Sequence, residues 1–438
     1  MRVRLVALAG LLAASLATPA AAQLSPAEQV MIDTVEAGFE GDVALLEAIT
    51  NVNSGTHNHA GVREVGRMLM PHFEALGFEV EWIDQSHVGR AGHLFATRHG
   101  DPASTRMLLI GHIDTVFEPT SPFQRFERDG DTATGPGVVD DKGGIIVILS
   151  ALNAMQAAGT LDGANVIVAL TGDEEDVGDP IEQARAHLVV AGNWADVALG
   201  FEGLSVQDGR DMGVVARRSS NSWTLTTTGR TGHSSGVFGE RAGYGAIYEM
   251  ARILDTFRQE LPEENLTYNV GFMAGGTPAT LAEDRLGAAA VGKTNIIPST
   301  AVARGDLRTI SQEQTDRIAA AMQAIVDDNL PGTDAQIEFA FRYPPMSPSE
   351  GNMALFERLN AINADMGLEQ MGIFPPARRG AADISFVAPF ADGLAGMGPD
   401  GSGSHAVGET ADLRSFTRQA QRTAILMSRL AAETPQRD

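Results

Sequence analysis

The sequence predicts an α/β protein: a mostly parallel sheet with covering helices, interrupted by an inserted ferredoxin-like α+β domain. Three observations carry this expectation. Short continuous apolar runs alternate with helical patterns between residues 107 and 199, the texture of strands buried on both faces. Near residue 214 the texture changes, and Ser222-Trp-Thr-Leu-Thr-Thr-Thr228 reads as a strand with one polar face. After Pro344 the α/β texture returns, so residues 214–343 read as an insert between 23–213 and 344–438.

Taken in order, Glu28 to Glu40 carries a short helical pattern, and Val62 to Leu76 carries a second that ends at Gly77. Met107-Leu-Leu-Ile110 reads as a buried strand, Gly143 to Ala158 as a helix, and Asn165 to Leu170 and Asp196 to Leu199 as two further strands. Within the insert, strand 222–228 precedes a helix over Ala242–Phe257. Strands follow around Tyr268–Met273 and Thr300–Arg308. Ser311 to Asn329 is a helix opened by Ser311 and Gln314 as a capping box, and Gln336 to Phe341 is the last strand. The order β-α-β-β-α-β is that of the split βαβ unit.

The chain has 438 residues, 43% apolar and 20% charged, ordinary globular values and enough length for two domains. Residues 1–22 differ. Arg2 and Arg4 precede an apolar run from Leu5 to Leu16, and Ala20-Ala21-Ala22 closes the segment, which is the layout of a secretory signal peptide. The run is short for a membrane anchor, and no later stretch reaches spanning length, so a soluble, exported and periplasmic protein is expected. There is no cysteine, which excludes disulfides, thiolate metal sites and a cysteine nucleophile. The formal charge of −24 disfavours nucleic acid and anionic membranes as partners.

Metal-capable side chains follow the predicted strands. The first strand runs into Gly111-His112-Ile-Asp114, the second into Asp173-Glu174-Glu175, and the third into Phe201-Glu202. Gly135-Pro-Gly-Val-Val-Asp140-Asp141-Lys-Gly-Gly144 forms a turn into a helix, and Gly401-Ser-Gly-Ser-His405 supplies a second histidine. In open α/β sheets ligands bind beyond the carboxyl ends of strands, so these groups can meet there. Two His with carboxylates suit Zn²⁺ without thiolates, and a bridging carboxylate can hold two ions roughly 3.5–4 Å apart. One of Glu174 and Glu175 can then bind metal while the other serves as general base. Each piece alone is compatible with a structural role or a solvated loop; the set at strand ends favours a metal site.

Two other motifs compete. Gly135-x-Gly137 lacks the third glycine of a dinucleotide fingerprint, Asp140 standing in its place. Gly232-His-Ser234-Ser-Gly236 matches a serine-hydrolase nucleophile elbow, with Asp383 and His405 following in the required order. The strand before it is Thr-rich and half-polar, which is not the buried central strand that an elbow needs.

With these motifs together, the chain resembles the family of di-zinc hydrolases that includes carboxypeptidase G type glutamate carboxypeptidases, acetylornithine deacetylase, succinyl-diaminopimelate desuccinylase and aminoacylase. The resemblance implies that Asp140 bridges two Zn²⁺ ions, for which Co²⁺ or Mn²⁺ can substitute. One zinc would take His112 and Glu202, the other Glu175 and His405. Glu174 would be the general base, Asp114 would orient the His112 ring, and the peptide joining Asp140 to Asp141 would be cis. It implies that the insert is a lid that also forms a homodimer, and that His233 reaches the partner's site to stabilise the developing oxyanion. Read from the residues alone, His233 is a surface loop histidine. Asn295, Arg308 and Arg342 match lid positions that grip the substrate, Arg342 most loosely. Two departures border the substrate pocket: Arg379-Gly380-Ala-Ala-Asp383 stands where relatives often carry Gly-Gly-Thr/Ser-Asp, and the approach to His405 is longer than usual. The activity implied is hydrolysis of a peptide or amide bond that releases a C-terminal amino acid. The alternatives are an N-acyl-amino-acid hydrolase, a non-catalytic binding protein on the same scaffold, and a serine hydrolase using Ser234.

Overall fold

The structure, a computed structural model, describes residues 24–435. The expected export segment lies outside the described residues. Among the described residues, no helix is long and apolar enough to cross a membrane.

The main sheet has six strands: β1 (Glu79–Asp84), β2 (Gly92–Arg98), β3 (Arg106–His112), β4 (Asn165–Thr171), β5 (Val197–Gly200) and β6 (Asp392–Leu394). Their spatial order is β1-β2-β4-β3-β5-β6. Four neighbours, β4, β3, β5 and β6, run parallel, while β2 pairs antiparallel on both sides. The sheet is therefore mixed but mostly parallel. Strands β1 and β6 have no clear signature in the sequence, because β1 carries three acidic residues and β6 has three residues; β2, as long as β3, is an additional strand beyond those expected.

Alternate residues of β3 enter different cores. Met107 and Leu109 face a core shared with the helices α1 (Pro26–Thr50), α2 (Lys142–Ala157) and the C-terminal Leu413–Ala431 helix. Leu108 and Ile110 face the opposite core, with Leu188 and Ala191 of the Ala186–Trp194 helix. The helix after β3 and the helix after β4 thus cover opposite faces of the sheet. Adjacent parallel strands with that arrangement leave a crevice at their carboxyl ends. The register sets His112 beside Thr171 there.

A second sheet has its own core. Its strands, Ser220–Gly229, Thr267–Gly276, Thr300–Arg308 and Thr333–Tyr343, pair antiparallel, with 220–229 and 300–308 in the centre. Helices Ala246–Glu260 and Gln312–Asp327 pack Met250, Ile253, Phe257, Ile318 and Met322 against Trp223, Leu225 and Ile337. This is the expected β-α-β-β-α-β order.

Several element boundaries differ from expectation. Helix α1 continues to Thr50 rather than stopping near Glu40, because Val43, Leu46 and Ile49 pack into the core and override Gly38 and Gly41. The first helix of the second sheet starts at Ala246, not Ala242, since Gly243 and Gly245 hold φ of 71° and 79°. Ser311 does cap its helix by accepting from Gln314 N–H, but the Gln314 side chain accepts from Ile310 N–H rather than closing the box. A full capping box occurs at Ser25 and Glu28.

Candidate metal centre and active site

The crevice gathers His112, Asp114, Asp140, Glu174, Glu175, Glu202 and His405. Its organising residue is Asp140, whose two carboxylate oxygens face different histidines. Oδ1 lies 3.1 Å from His112 Nε2 and Oδ2 lies 3.2 Å from His405 Nε2. His405 Nε2 is also 3.1 Å from Glu175 Oε2. His112, Asp140 and Glu175 each place a donor atom within 4.8 Å of the others.

Each donor is aimed by a specific contact. His112 Nδ1 lies 3.1 Å from the Asp114 carbonyl; in the neutral ring with its proton on Nδ1 that carbonyl accepts a hydrogen bond and the Nε2 lone pair faces the cluster. His405 is half-exposed and sits at φ 65°, a left-handed backbone that costs an L residue about 1 kcal/mol and presents its ring to Asp140. Asp114, fully buried, ties down the turn that carries both glutamates. Its Oδ1 accepts from Glu174 N–H at 3.0 Å, and its Oδ2 accepts from Glu175 N–H at 3.2 Å and Thr56 Oγ1 at 2.6 Å. Asp140 is steered through its main chain: Glu409 accepts from the N–H groups of Gly137, Val139 and Asp140. The Asp140–Asp141 peptide is cis.

Asp141 points away from the cluster. Its Oδ2 accepts from His112 N–H at 3.1 Å, and its Oδ1 is buried without a partner. The turn is packed so tightly that only glycine fits after it. A Cβ on Gly144 would lie 2.1 Å from the Phe201 carbonyl oxygen and 2.2 Å from Asp141 Oδ1.

The electrostatics of these groups are those of a site built around cations. Burial raises Asp140, but His112 and His405 outweigh it and hold its carboxyl far below the usual range. The Asp140 and Glu175 carboxylates push His405 up to about 11. Burial depresses His112, yet Asp114 and Asp140 more than reverse it. Burial raises Glu174 well above an ordinary carboxyl, and the Glu202 charge adds to it. Glu174 lines a small cavity of about 10 Å³ together with His112, Glu202, Arg217 and Asp383. Two imidazoles and three carboxylates, with no thiolate, form a donor set that divalent ions such as zinc accept. One carboxylate presenting both oxygens to two different histidines suits a pair of ions.

The candidate residues of the second sheet lie elsewhere. His233 and Asn295 meet on one exposed loop pair, where Ser234 N–H donates to the Asn295 carbonyl and His233 bridges Ile296. His233 Nδ1 accepts from Ser235 N–H, which places the proton of the neutral ring on Nε2. Arg308 pairs with Asp306 at 3.2 Å. Arg342 donates to the Val177 carbonyl and lines a cavity of about 500 Å³ with Ile181, Phe341 and Phe386.

The serine-hydrolase arrangement is not assembled. Ser234 lies in a single 3-10 turn of this loop, and both oxygens of Asp383 are engaged by Arg185 Nε at 2.7 Å and Thr171 Oγ1 at 2.6 Å.

Further residues reach the site: Arg217 and Tyr343 have no signal in the sequence, whereas Arg379 lies in the departure from the family pattern noted beside the substrate pocket. Arg217 donates to Glu202 Oε2 at 2.7 Å, and Tyr343 donates to the Glu174 carbonyl at 2.9 Å. Arg379 approaches Glu202 to 3.8 Å with its Nε unpartnered. Glu409, four residues after His405, could have been flagged by its proximity to that histidine.

The model of the peptidase family M20/M25/M40 matches residues 108–429. The chain is 25% identical over 405 residues to carboxypeptidase G2 of Pseudomonas sp. (strain RS-16), covering 89% of each. It is 28% identical over 376 residues to a succinyl-diaminopimelate desuccinylase of Xanthomonas oryzae pv. oryzae, covering 80% of this chain and 89% of the relative. Its fold matches that of aminopeptidase PepT from Bacillus cereus with a TM-score of 0.69 at 18% identity, over 90% of this chain and 99% of the other.

Proposed function

The chain belongs to the M20/M25/M40 peptidase family, and from that premise we propose that it is a two-zinc carboxypeptidase that cleaves an amide bond next to a free carboxylate and releases a C-terminal amino acid. It is an enzyme of the metallopeptidase or amidohydrolase class. The observation that supports the metal reading best is Asp140, with its two oxygens 3.1 Å and 3.2 Å from two different histidines. In this reading His112, Asp140 and Glu202 hold one ion, and Asp140, Glu175 and His405 hold the other. Ions there supply Lewis-acid polarisation of the scissile carbonyl and a lowered pKa for the attacking water.

The protein's own groups do the rest. Glu174 carries no metal; it takes a proton from the water as the oxygen attacks, then passes it to the departing amine nitrogen as the C–N bond breaks. Its burial and raised affinity for a proton fit that exchange. His233 offers Nε2–H to the developing oxyanion of the partner subunit's substrate. Arg308 and Asn295 grip the carboxylate, for which the planar guanidinium fork is suited, and Arg342 contributes from the hinge side. We further propose that residues 214–343 form the lid and dimerisation unit, and that the protein is exported to the periplasm.

The 28% identity to a desuccinylase favours a second reading, an N-acyl-amino-acid amidohydrolase with the same chemistry. Chelation should abolish turnover, and zinc, cobalt or manganese should restore it. A panel of C-terminal dipeptides and N-acyl amino acids then separates peptidase from deacylase. Full turnover in excess chelator, with inhibition by a serine-directed reagent, would sink the metal reading.

A further inference from the structure

The chain crosses between the two sheets twice, and each crossing carries one buried side chain that touches the metal centre. The outward crossing contains Arg217, which is 4% exposed. Its guanidinium donates to Glu202 Oε2 at 2.7 Å, and to the carbonyls of Gly380 at 2.7 Å and Ala381 at 3.1 Å. The return crossing begins at Tyr343, 8% exposed and the last residue of the 333–343 strand. Its hydroxyl donates to the Glu174 carbonyl at 2.9 Å and accepts from Arg185 Nη2 at 3.2 Å. Its ring packs edge-on against Phe386, 4.9 Å between centroids. The two crossings are tied to each other, because Arg217 and Met346 exchange backbone hydrogen bonds of 2.9 Å in both directions.

We propose that Arg217 and Tyr343 are positioning residues: Arg217 orients the Glu202 carboxylate as a ligand, and Tyr343 fixes the main chain of the Glu174 base. Through them, the seating of the second sheet on the first sets the geometry of the site. The proposal rests on the metal and base roles given above.

The physical argument is one of alternatives. A hinge that had only to join two bodies needs neither a buried guanidinium nor a buried hydroxyl. Burying such groups costs free energy unless their hydrogen bonds are made. Both groups here make theirs, and each directs one bond to a residue of the reaction. The planar fork of Arg217 reaches a carboxylate and two carbonyls at once, which the single ammonium of a lysine cannot reproduce. Arg185 in turn is anchored by Asp173 and Asp383, so the tyrosine oxygen is held from behind. Asp173 directly precedes the two glutamates.

The two roles predict different failures. Groups that orient metal ligands typically contribute about 10–100-fold to metal affinity. R217M should therefore weaken one of the two metal equivalents by that factor, read by zinc competition with a chromophoric chelator on the full-length protein. Y343F should leave both equivalents bound with affinities within about twofold of wild type. It should lower kcat by about 10–100-fold with little change in KM, because the base is displaced rather than removed. R217K should recover only part of the loss, and it carries the test alone if R217M does not fold. Thermal unfolding is measured alongside. If both variants lower Tm while metal affinity and kcat stay at wild-type values, the residues are hinge packing only and the proposal is overturned. If the wild-type protein itself binds no zinc, the metal reading falls and takes this proposal with it.

Discussion

Asp114 shows how one carboxylate holds two adjacent glutamates that face different neighbours. It fixes the N–H groups of both Glu174 and Glu175 with separate oxygens, so their side chains must diverge. Glu175 reaches His405, whereas Glu174 faces the cavity beside Glu202. Glu174→Gln is therefore expected to keep both metals and lose about 10²–10⁴-fold in kcat. Metal analysis of the two single glutamine variants checks this: loss of metal from Glu174→Gln with full occupancy in Glu175→Gln would reverse the assignment. Asp114→Ala removes the acceptor of two N–H groups and the Thr56 hydroxyl, all buried or partly so. It should lower both Tm and metal affinity, the latter by about 10–100-fold; wild-type affinity in a chelator competition would show that the tether is dispensable. The residues at strand ends were legible because a polar run after a buried strand stands out locally. Arg217 and Tyr343 were not legible, since their partners lie 15 and 169 positions away and nothing local marks the contact.

At the level of the element, the helix that follows the Asp140 turn sets two principles against each other. Gly143 and Gly144 open it, and a glycine within a helix costs about 0.5–1 kcal/mol relative to alanine. Propensity alone therefore predicts that Gly144→Ala stabilises. The packing predicts the opposite, because the new Cβ would sit 2.1 Å from the backbone oxygen of Phe201. Overpacking typically costs about 1–3 kcal/mol, which exceeds the propensity gain. Urea unfolding of Gly144→Ala should show a net loss of stability; a gain would mean that the turn and β5 can separate without penalty. The same contest explains which elements the sequence revealed. Long apolar strands and the helices between them were legible from periodicity. The extension of α1 and the late start of the 246–260 helix were not, because tertiary packing decided one and left-handed glycines the other. Strand β2, antiparallel within the parallel array, has no marker of its direction in its residues.

For the whole molecule, the role proposed for His233 has to bridge a loop beside the second sheet and the metal-capable cluster beside the first. His233 is exposed, and every residue of the donor set lies outside the second sheet. Its Nδ1 is already engaged by Ser235 N–H, so Nε2–H is free to donate outward. A second copy of the chain can present that donor, and a two-fold dimer would then contain two composite sites. Removing one oxyanion donor typically costs about 10²–10³-fold in kcat. His233→Ala should therefore lower kcat without changing metal content, whereas Arg308→Ala should mainly raise KM, since a carboxylate grip acts on ground and transition states alike. Mixing the two inactive proteins His233→Ala and Glu174→Gln is the decisive measurement. If the histidine acts across subunits, each mixed dimer has one site with both residues intact and one with neither. With free exchange and equal amounts, half of the dimers are mixed, so about a quarter of the wild-type activity should return. If light scattering shows a dimer, labelled subunits are seen to exchange, and no activity reappears, then His233 does not act on the partner's substrate. The oxyanion would in that case be stabilised by the ions or by a donor of the same chain, and Arg379, whose Nε is unpartnered, becomes the group to test.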